Sequence, residues 1–227
     1  MGEVVGIGHT GCAILIPSLN RPQRLLPTIE AIHTNTPQPH KIMFCVSDRE
    51  SMDMLDKAGE WFLSDANDDD HRYVTRMNKL VRHLDGADTI FFGSDDVIHH
   101  DGWLTAALRV MAEGFDLVVV NDLHNASGTQ ALMNRRYLSK AVFDAPGDAF
   151  HAGYMHNFAD NEQHFTAYKH GTYARAMDSL VEHLHPLFRS HNSIPWDETY
   201  RVGAMNNWDR DERLFKERAA LIDAAIQ

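Results

Sequence analysis

Residues 87–97, Ala-Asp-Thr-Ile-Phe-Phe-Gly-Ser-Asp-Asp-Val, constrain the fold more than any other stretch. Four consecutive apolar or β-branched residues (Thr89, Ile90, Phe91, Phe92) follow a Gly86-Ala87-Asp88 turn, as in a central parallel strand buried on both faces. The run stops on two adjacent carboxylates, Asp95 and Asp96, at the strand end where open α/β sheets bind their ligands. Neighbouring carboxylates repel each other and lose hydration. A hard divalent cation such as Mg²⁺ or Mn²⁺ relieves both costs and also grips phosphate oxygens. The competing reading is that one of them caps a helix beginning near Trp103 or closes a turn, and both readings stand at this point.

Length and composition narrow the setting. The 227 residues suffice for one substantial core, and no Pro/Gly/Ser-rich linker divides them, so we expect one domain with a C-terminal appendage. With 44% hydrophobic and 23% charged residues and no apolar run near the ~20 that a bilayer span requires, the chain reads as neither transmembrane nor disordered. Met1 to Thr10 carry no basic segment ahead of an apolar one, and Cys12 and Cys45 fall in expected core strands, which fits a reducing cytoplasm. A net charge of −11, from 21 basic and 32 acidic side chains, argues against affinity drawn from a nucleic-acid backbone. A local basic groove stays compatible with it.

Along the chain, Gly6-Ile7-Gly8-His9-Thr10-Gly11 matches the dinucleotide fingerprint, but that motif needs a strand before it and a helix within it, and here a strand follows. Residues 12–16 are that strand, closed by Pro17, and Ser18, Leu19, Asn20 and Arg21 form the loop after it. Pro22 starts a helix with Leu25, Leu26, Ile29 and Ile32 on one face. Residues 41–46 make a second buried strand ending on Ser47-Asp48, where Asp48 suits either a nucleotide contact or the cap of a helix over 50–58. Residues 61–63 form a short strand and 65–70 an acidic, solvated loop. Val74, Met77, Leu80, Val81 and Leu84 share one face of a helix over 73–84, with Arg76, Asn78 and Lys79 off that face.

Beyond the carboxylates the pattern predicts a helix over 103–113, a buried strand over 115–121, a return over 128–134 and a short helix over 135–142. Residues 144–154 dissolve into Pro146, Gly147, Gly153 and scattered histidines, as a substrate-facing loop does. Ala159-Asp160-Asn161-Glu162 opens a helix that Gly171 stops. His183 and His185, two apart on an extended segment, can face one ion, although 15 histidines make such a pair unselective by itself. A last helix over 209–225 carries Leu214, Leu221, Ile222 and Ala225 on one face.

Taken in order, Ile16-Pro17-Ser18-Leu19-Asn20-Arg21, Val46-Ser47-Asp48, Asn78-Lys79-Leu80 before Gly86-Ala87-Asp88, and Ser94-Asp95-Asp96 give the chain a resemblance to the GT-A glycosyltransferases, above all family 2, over residues 13–186. The resemblance implies an α/β fold, a Rossmann-like α/β/α sandwich with a mostly parallel central sheet. It implies a nucleotide-sugar-binding half (12–122), an acceptor and metal half (123–186) and a C-terminal flap and helix (187–227). Pro17, Ser18, Asn20, Arg21, Asp48, Arg76, Asn78, Ser94 and Asp95 would then bind the nucleotide sugar. Asp96, as the last acid of an Asp-x-Asp motif, and His185, in preference to His183, would hold Mn²⁺ or Mg²⁺. Asp160 would be the catalytic base, and Trp196-Asp197-Glu198-Thr199-Tyr200-Arg201 looks like a flap over the donor. Two departures stand out: Ser94 where the motif usually begins with Asp, and Met77 where the family often has Arg, with Arg76 one residue away.

The implied activity is an inverting transfer of a hexosyl or pentosyl group from a nucleoside diphosphate sugar to a hydroxyl on a glycan or protein. A hydroxylated nucleobase joins that list if Arg135 and Arg136 border the cleft. One rival is a sugar nucleotidyltransferase, which normally places a glycine-rich basic loop where this chain has Ser18-Leu19-Asn20-Arg21-Pro22. The other is a catalytically inactive nucleotide-sugar binder, the reading that Ser94 favours.

Overall fold

The computed structural model describes residues 11–67, 70, 72–123, 129–186, 194–197, 200 and 206–226. The strands are β1 (Cys12–Ser18), β2 (His40–Val46), β3 (Trp61–Ser64), β4 (Thr89–Phe92), β5 (Val97–His99), β6 (Leu117–Asn121), β7 (Ala131–Asn134) and β8 (Tyr173–His183). The helices are α1 (Pro22–Asn35), α2 (Arg49–Ala58), α3 (Tyr73–Val81), α4 (Trp103–Met111), α5 (Leu138–Ala141, after a 3-10 turn at Arg135–Tyr137), α6 (Ala159–Lys169) and α7 (Trp208–Ile226). They surround one sheet of order β3-β2-β1-β4-β7-β6-β8-β5. No helix among the described residues is long and apolar enough to cross a membrane.

The β3-β2-β1-β4 half is parallel throughout, while β7 enters antiparallel to both β4 and β6, and β5 pairs antiparallel with β8. β4 is therefore parallel on one side only. Alternate strand residues divide the core between the two faces of the sheet. Leu15, Met43, Ile90 and Phe92 pack under α3 and α6, whereas Ile14, Ile16, Phe44 and Phe91 pack against α1 and α4.

The first strand runs two residues past its expected end, through Pro17 to Ser18. The Leu15 carbonyl accepts from Gly93 N at 3.0 Å, so Pro17, two residues on, faces the same side beyond the end of β4. A missing N–H there breaks no ladder bond. Two apolar residues expected inside lie outside, Leu26 at 48% and Leu221 at 55% exposure. Each sits about 100° around its helix from a buried neighbour, Leu25 and Ile222 respectively.

The acidic loop is corrected at its first residue, while Ala66 and Asn67 are exposed as expected. Asp65 is 4% exposed and receives Arg76 Nε at 2.7 Å and Nη2 at 3.3 Å. Arg76 is itself 1% exposed and adds a bond from Nη1 to the Ser18 carbonyl at 3.0 Å. A bidentate guanidinium with a carboxylate and a carbonyl for partners tolerates burial that a lone charge would not. Sequence periodicity cannot anticipate such a pairing, because the partners come from separate elements.

β5 was not expected as a strand, and its last residue is a weak point of the core. His99 is fully buried with its ring against Phe91 (5.6 Å between centroids) and Trp103 (4.8 Å). Neither ring nitrogen has a hydrogen-bond partner among the described residues. Burial, with smaller contributions from His100 and His40, pushes its pKa from 6.5 down to about 3. The unfolded chain thus takes up a proton more readily, and stability should fall as pH drops from about 6.5 towards 3. His99→Phe keeps the ring packing and removes both orphaned nitrogens, so it should raise Tm at pH 7 and flatten the loss of Tm between pH 6.5 and 4. A variant as acid-sensitive as the parent would show that His99 is not responsible.

Candidate active site

The carboxyl ends of β1, β4, β6 and β8 converge. Val97 of β5 lies opposite His183 of β8, and the Asp96 carbonyl accepts Leu184 N at 2.8 Å, so the antiparallel ladder sets Asp96 and His183 side by side. His183 Nε2 stands 3.6 Å from Asp96 Oδ2. Asp96 also accepts short hydrogen bonds from the Ser94 and Tyr200 hydroxyls. Asp95 points the other way, receiving Ser18 Oγ at 2.6 Å and Arg21 Nη1 at 2.9 Å.

Arg21 joins the acidic pair to the segment after β8. Besides Asp95 it lies 3.8 Å from Asp96 Oδ2, forms two bonds of 2.8 and 2.9 Å to Asp197 and stacks 4.5 Å over the Tyr200 ring. Tyr200 and Trp196 pack edgewise on His185, at 4.7 and 5.9 Å. Of the expected flap, Glu198, Thr199 and Arg201 lie outside the described residues.

Burial pushes the Asp95 carboxyl up, against the Arg21 guanidinium. Burial acts on Asp96 in the same direction, but the His183 ring and the Ser94 and Tyr200 hydroxyls outweigh it and hold that carboxyl below the usual range. His183 is the counterpart: burial works against its charge, and Asp96, then Asp122 and Asp160, raise it. His185 is pushed down to about 4 by burial and by His183.

Asp160 lies in the first turn of α6, half-buried, and burial drives its carboxyl up to about 6 in spite of bonds from the Asn161 and Asp160 backbone. It is not the helix cap. That position belongs to Phe158, in the left-handed region at φ 61° with no side-chain cap bond. Its electrostatic neighbours include His183 and Asp122.

Other expected site residues make scaffold contacts. Asp48 caps α2, receiving Ser51 N at 2.8 Å and Ser51 Oγ at 2.6 Å. Asn78 accepts from Ala149 N and Phe150 N and donates to the Phe150 carbonyl at 2.7 Å, and Arg76 is buried beneath Ser18 as described. Asn20 is exposed and left-handed (φ 53°), a conformation Asn tolerates, and its side-chain oxygen meets Ser47 Oγ at 3.5 Å. Pro17 is buried within β1.

Sequence reading missed several participants. Asp122 directly follows β6 and is fully buried, which is the signal of an acid ending an apolar strand that had singled out Asp95 and Asp96. Asp197 and Tyr200 entered only as part of a flap, with no partner assigned. His156 carries no such signal, yet it faces Tyr73 at 6.3 Å and couples to Asp96 and Arg21.

The final helix is bound to this region by ions as well as by part of the apolar stripe expected of it, Leu214 and Ile222. Asp211 is fully buried and accepts the backbone N–H groups of Met155, His156 and Asn157 at 2.9–3.2 Å. One turn pair further, Arg218 bridges Glu162 (2.6 and 2.9 Å) and Asp144 (2.9 and 3.0 Å), and Tyr154 donates to Glu162 at 2.7 Å. α7 thereby grips both sides of Asp160. Arg218→Met should strand the Glu162 charge and cost ~3–5 kcal/mol in denaturant unfolding, and adding Glu162→Gln should restore part of it. Additive losses in the double variant would refute the coupling.

The donors present fit a divalent ion. Among the described residues no group of three or more His, Cys, Asp and Glu is arranged to hold one. Asp96 and His183 are a carboxylate and an imidazole, donor types that Mn²⁺ accepts, and they would supply two of its ligands.

The fold is that of the GT-A glycosyltransferases. The mannosyltransferase PcManGT from Pyrobaculum calidifontis, in complex with GDP-Man and Mn²⁺, superimposes with a TM-score of 0.65 at 13% identity over 86% of this chain and 60% of that one. Glucosyl-3-phosphoglycerate synthase from Mycobacterium tuberculosis, with Mn²⁺, UDP-Glc and phosphoglyceric acid, gives 0.60 at 12% identity over 92% and 79%. TarS residues 1–349 from S. aureus give 0.56 at 10% identity over 75% and 59%. The chain thus spans less than two thirds of PcManGT and of that TarS fragment. No family model matches it, and no curated protein does.

Proposed function

We propose that the chain is a metal-dependent glycosyltransferase that moves a sugar from a nucleoside diphosphate sugar to a hydroxyl, with inversion. The observation that carries this reading is the meeting of Asp96, His183 and a half-buried Asp160 at the strand ends of a GT-A sheet. In this reading Asp96 and His183 would hold Mn²⁺ or Mg²⁺, which would supply charge neutralisation at the departing diphosphate. Ser18, Asn20 and Arg21 border the nucleotide, and Asp95 orients Arg21 and Ser18. Asp160 takes the proton from the acceptor hydroxyl, a task its raised pKa suits. Solved neighbours with GDP-Man or UDP-Glc and Mn²⁺ support the donor class.

The acceptor is a glycan or protein hydroxyl. A nucleobase acceptor required Arg135 and Arg136 at the cleft. Arg135 instead donates to the Leu84 and Ala87 carbonyls, and Arg136 pairs with Asp116, all at the opposite end of β4 and β6. We read the chain as one domain, divided at residues 122 and 186 as its resemblance implies. Cys12 and Cys45, both buried and neither in a disulfide, suit the cytoplasm.

The test is a thermal-shift screen of GDP, UDP and their sugars with and without Mn²⁺, followed by measurement of sugar release and transfer. Metal-dependent stabilisation with turnover is expected. Stabilisation without turnover on any hydroxyl acceptor would favour the inactive binder, and pyrophosphate-dependent formation of the nucleotide sugar would favour the nucleotidyltransferase.

A further inference from the structure

At the opposite end of the sheet from the active site, His33 in the last turn of α1, His40 at the start of β2 and Glu60 just before β3 form a second cluster. His33 Nε2 lies 2.8 Å from Glu60 Oε1, and His40 Nδ1 lies 2.9 Å from the Gln38 carbonyl oxygen. A carboxylate and a carbonyl only accept, so each of those nitrogens carries a hydrogen. The inner nitrogens, His33 Nδ1 and His40 Nε2, are then both lone-pair atoms in the neutral rings, and they face each other at 3.0 Å. Two lone pairs at that distance repel unless a proton or a metal cation lies between them.

We propose that His33 and His40 bind a divalent late transition-metal ion, with water completing its coordination, and so tie α1 to the starts of β2 and β3. An outer N–H given to a carboxylate or a carbonyl is the support that metal-ligating histidines habitually have, because it fixes the tautomer and makes the inner nitrogen more basic. Metal–nitrogen bonds of ~2.0–2.1 Å place cis ligands ~2.9 Å apart at a right angle and ~3.4 Å apart at a tetrahedral one. The 3.0 Å spacing is nearer the right-angle value, which favours a tetragonal ion such as Ni²⁺ or Cu²⁺. Glu60 adds compensating negative charge, and the His33 side chain is 50% exposed, which leaves an entry path. Two imidazole donors with no carboxylate ligand distinguish this site from the one at Asp96, where a carboxylate and the His183 imidazole meet.

Titration of the whole protein with Ni²⁺ alone should raise Tm, and EDTA should reverse the rise. With Cu²⁺, electron paramagnetic resonance should report two equatorial nitrogens. His33→Ala and His40→Ala should each abolish both signals, Glu60→Gln should weaken binding ~10–100-fold, and Asp96→Asn should leave it unchanged. An unchanged Tm with Ni²⁺ would mean that the pair merely shares a proton, and the proposal would fail. It would fail equally if the shift survived His33→Ala but vanished in Asp96→Asn, which would place the ion at the strand ends. Because the readout is binding and not sugar transfer, its failure is separable from that of the proposed function.

Discussion

Asp160→Asn is expected to lower sugar transfer ~10²-fold or more while nucleoside diphosphate binding with Mn²⁺ stays at the parent value. The amide preserves shape and removes the proton acceptor. An N-cap role would predict little effect, since Asn caps about as well as Asp, but Phe158 holds that position. The raised pKa adds two checks. Below about 6 the carboxyl is protonated and cannot act as a base, so kcat/KM should climb with pH through that value and the limb should vanish in the variant.

The second check is stability. The folded state holds this proton more tightly than the unfolded chain, whose carboxyl has its ordinary value of 3.8, so stability declines as pH rises from 3.8 to 6. At pH 7 the ionised carboxylate is therefore a burden, and Asp160→Asn should gain on the order of 1 kcal/mol there and nothing at pH 3. Transfer at the parent rate by the variant would sink the assignment and make Glu162 the next candidate, although Arg218 and Tyr154 already engage it.

The second large effect is expected of Asp96→Asn, which should abolish metal-dependent binding of UDP or GDP while the fold persists. Asn offers one neutral oxygen where the carboxylate offered two charged ones, and a hard cation discriminates sharply between them. The fold should survive because Arg21 keeps Asp95 and Asp197, and the residue lies past the end of β4. Calorimetry of UDP and GDP with and without Mn²⁺ reads the effect, and equal affinities in variant and parent would overturn the metal assignment.

The histidines separate in the same assay. His183, 3.6 Å from Asp96, should lose more affinity on replacement by Ala than His185, whose ring packs against Trp196 and Tyr200. The reverse order would restore the preference for His185 that the family resemblance implied.

Much of the architecture of the N-terminal half could be read in the chain because it is written in local pattern. Apolar runs punctuated by Pro22, Asp48, Gly86 and Gly171 mark where strands and helices start and stop, and acids at strand ends mark the side on which a ligand binds. Side-chain periodicity is a property of neighbouring residues, so it survives without knowledge of the fold.

Pairings across the sheet are not local, and only the tertiary structure decided them. The antiparallel insertion of β7, the burial of Asp65 by Arg76, the choice of His183 beside Asp96 through the Val97 register, and the capture of residues 155–157 by Asp211 join positions 11 to 87 residues apart. Nothing in the neighbourhood of either partner signals the other. Charge satisfaction in a buried site depends on which distant groups arrive there, and that is settled when the sheet closes over its two cores.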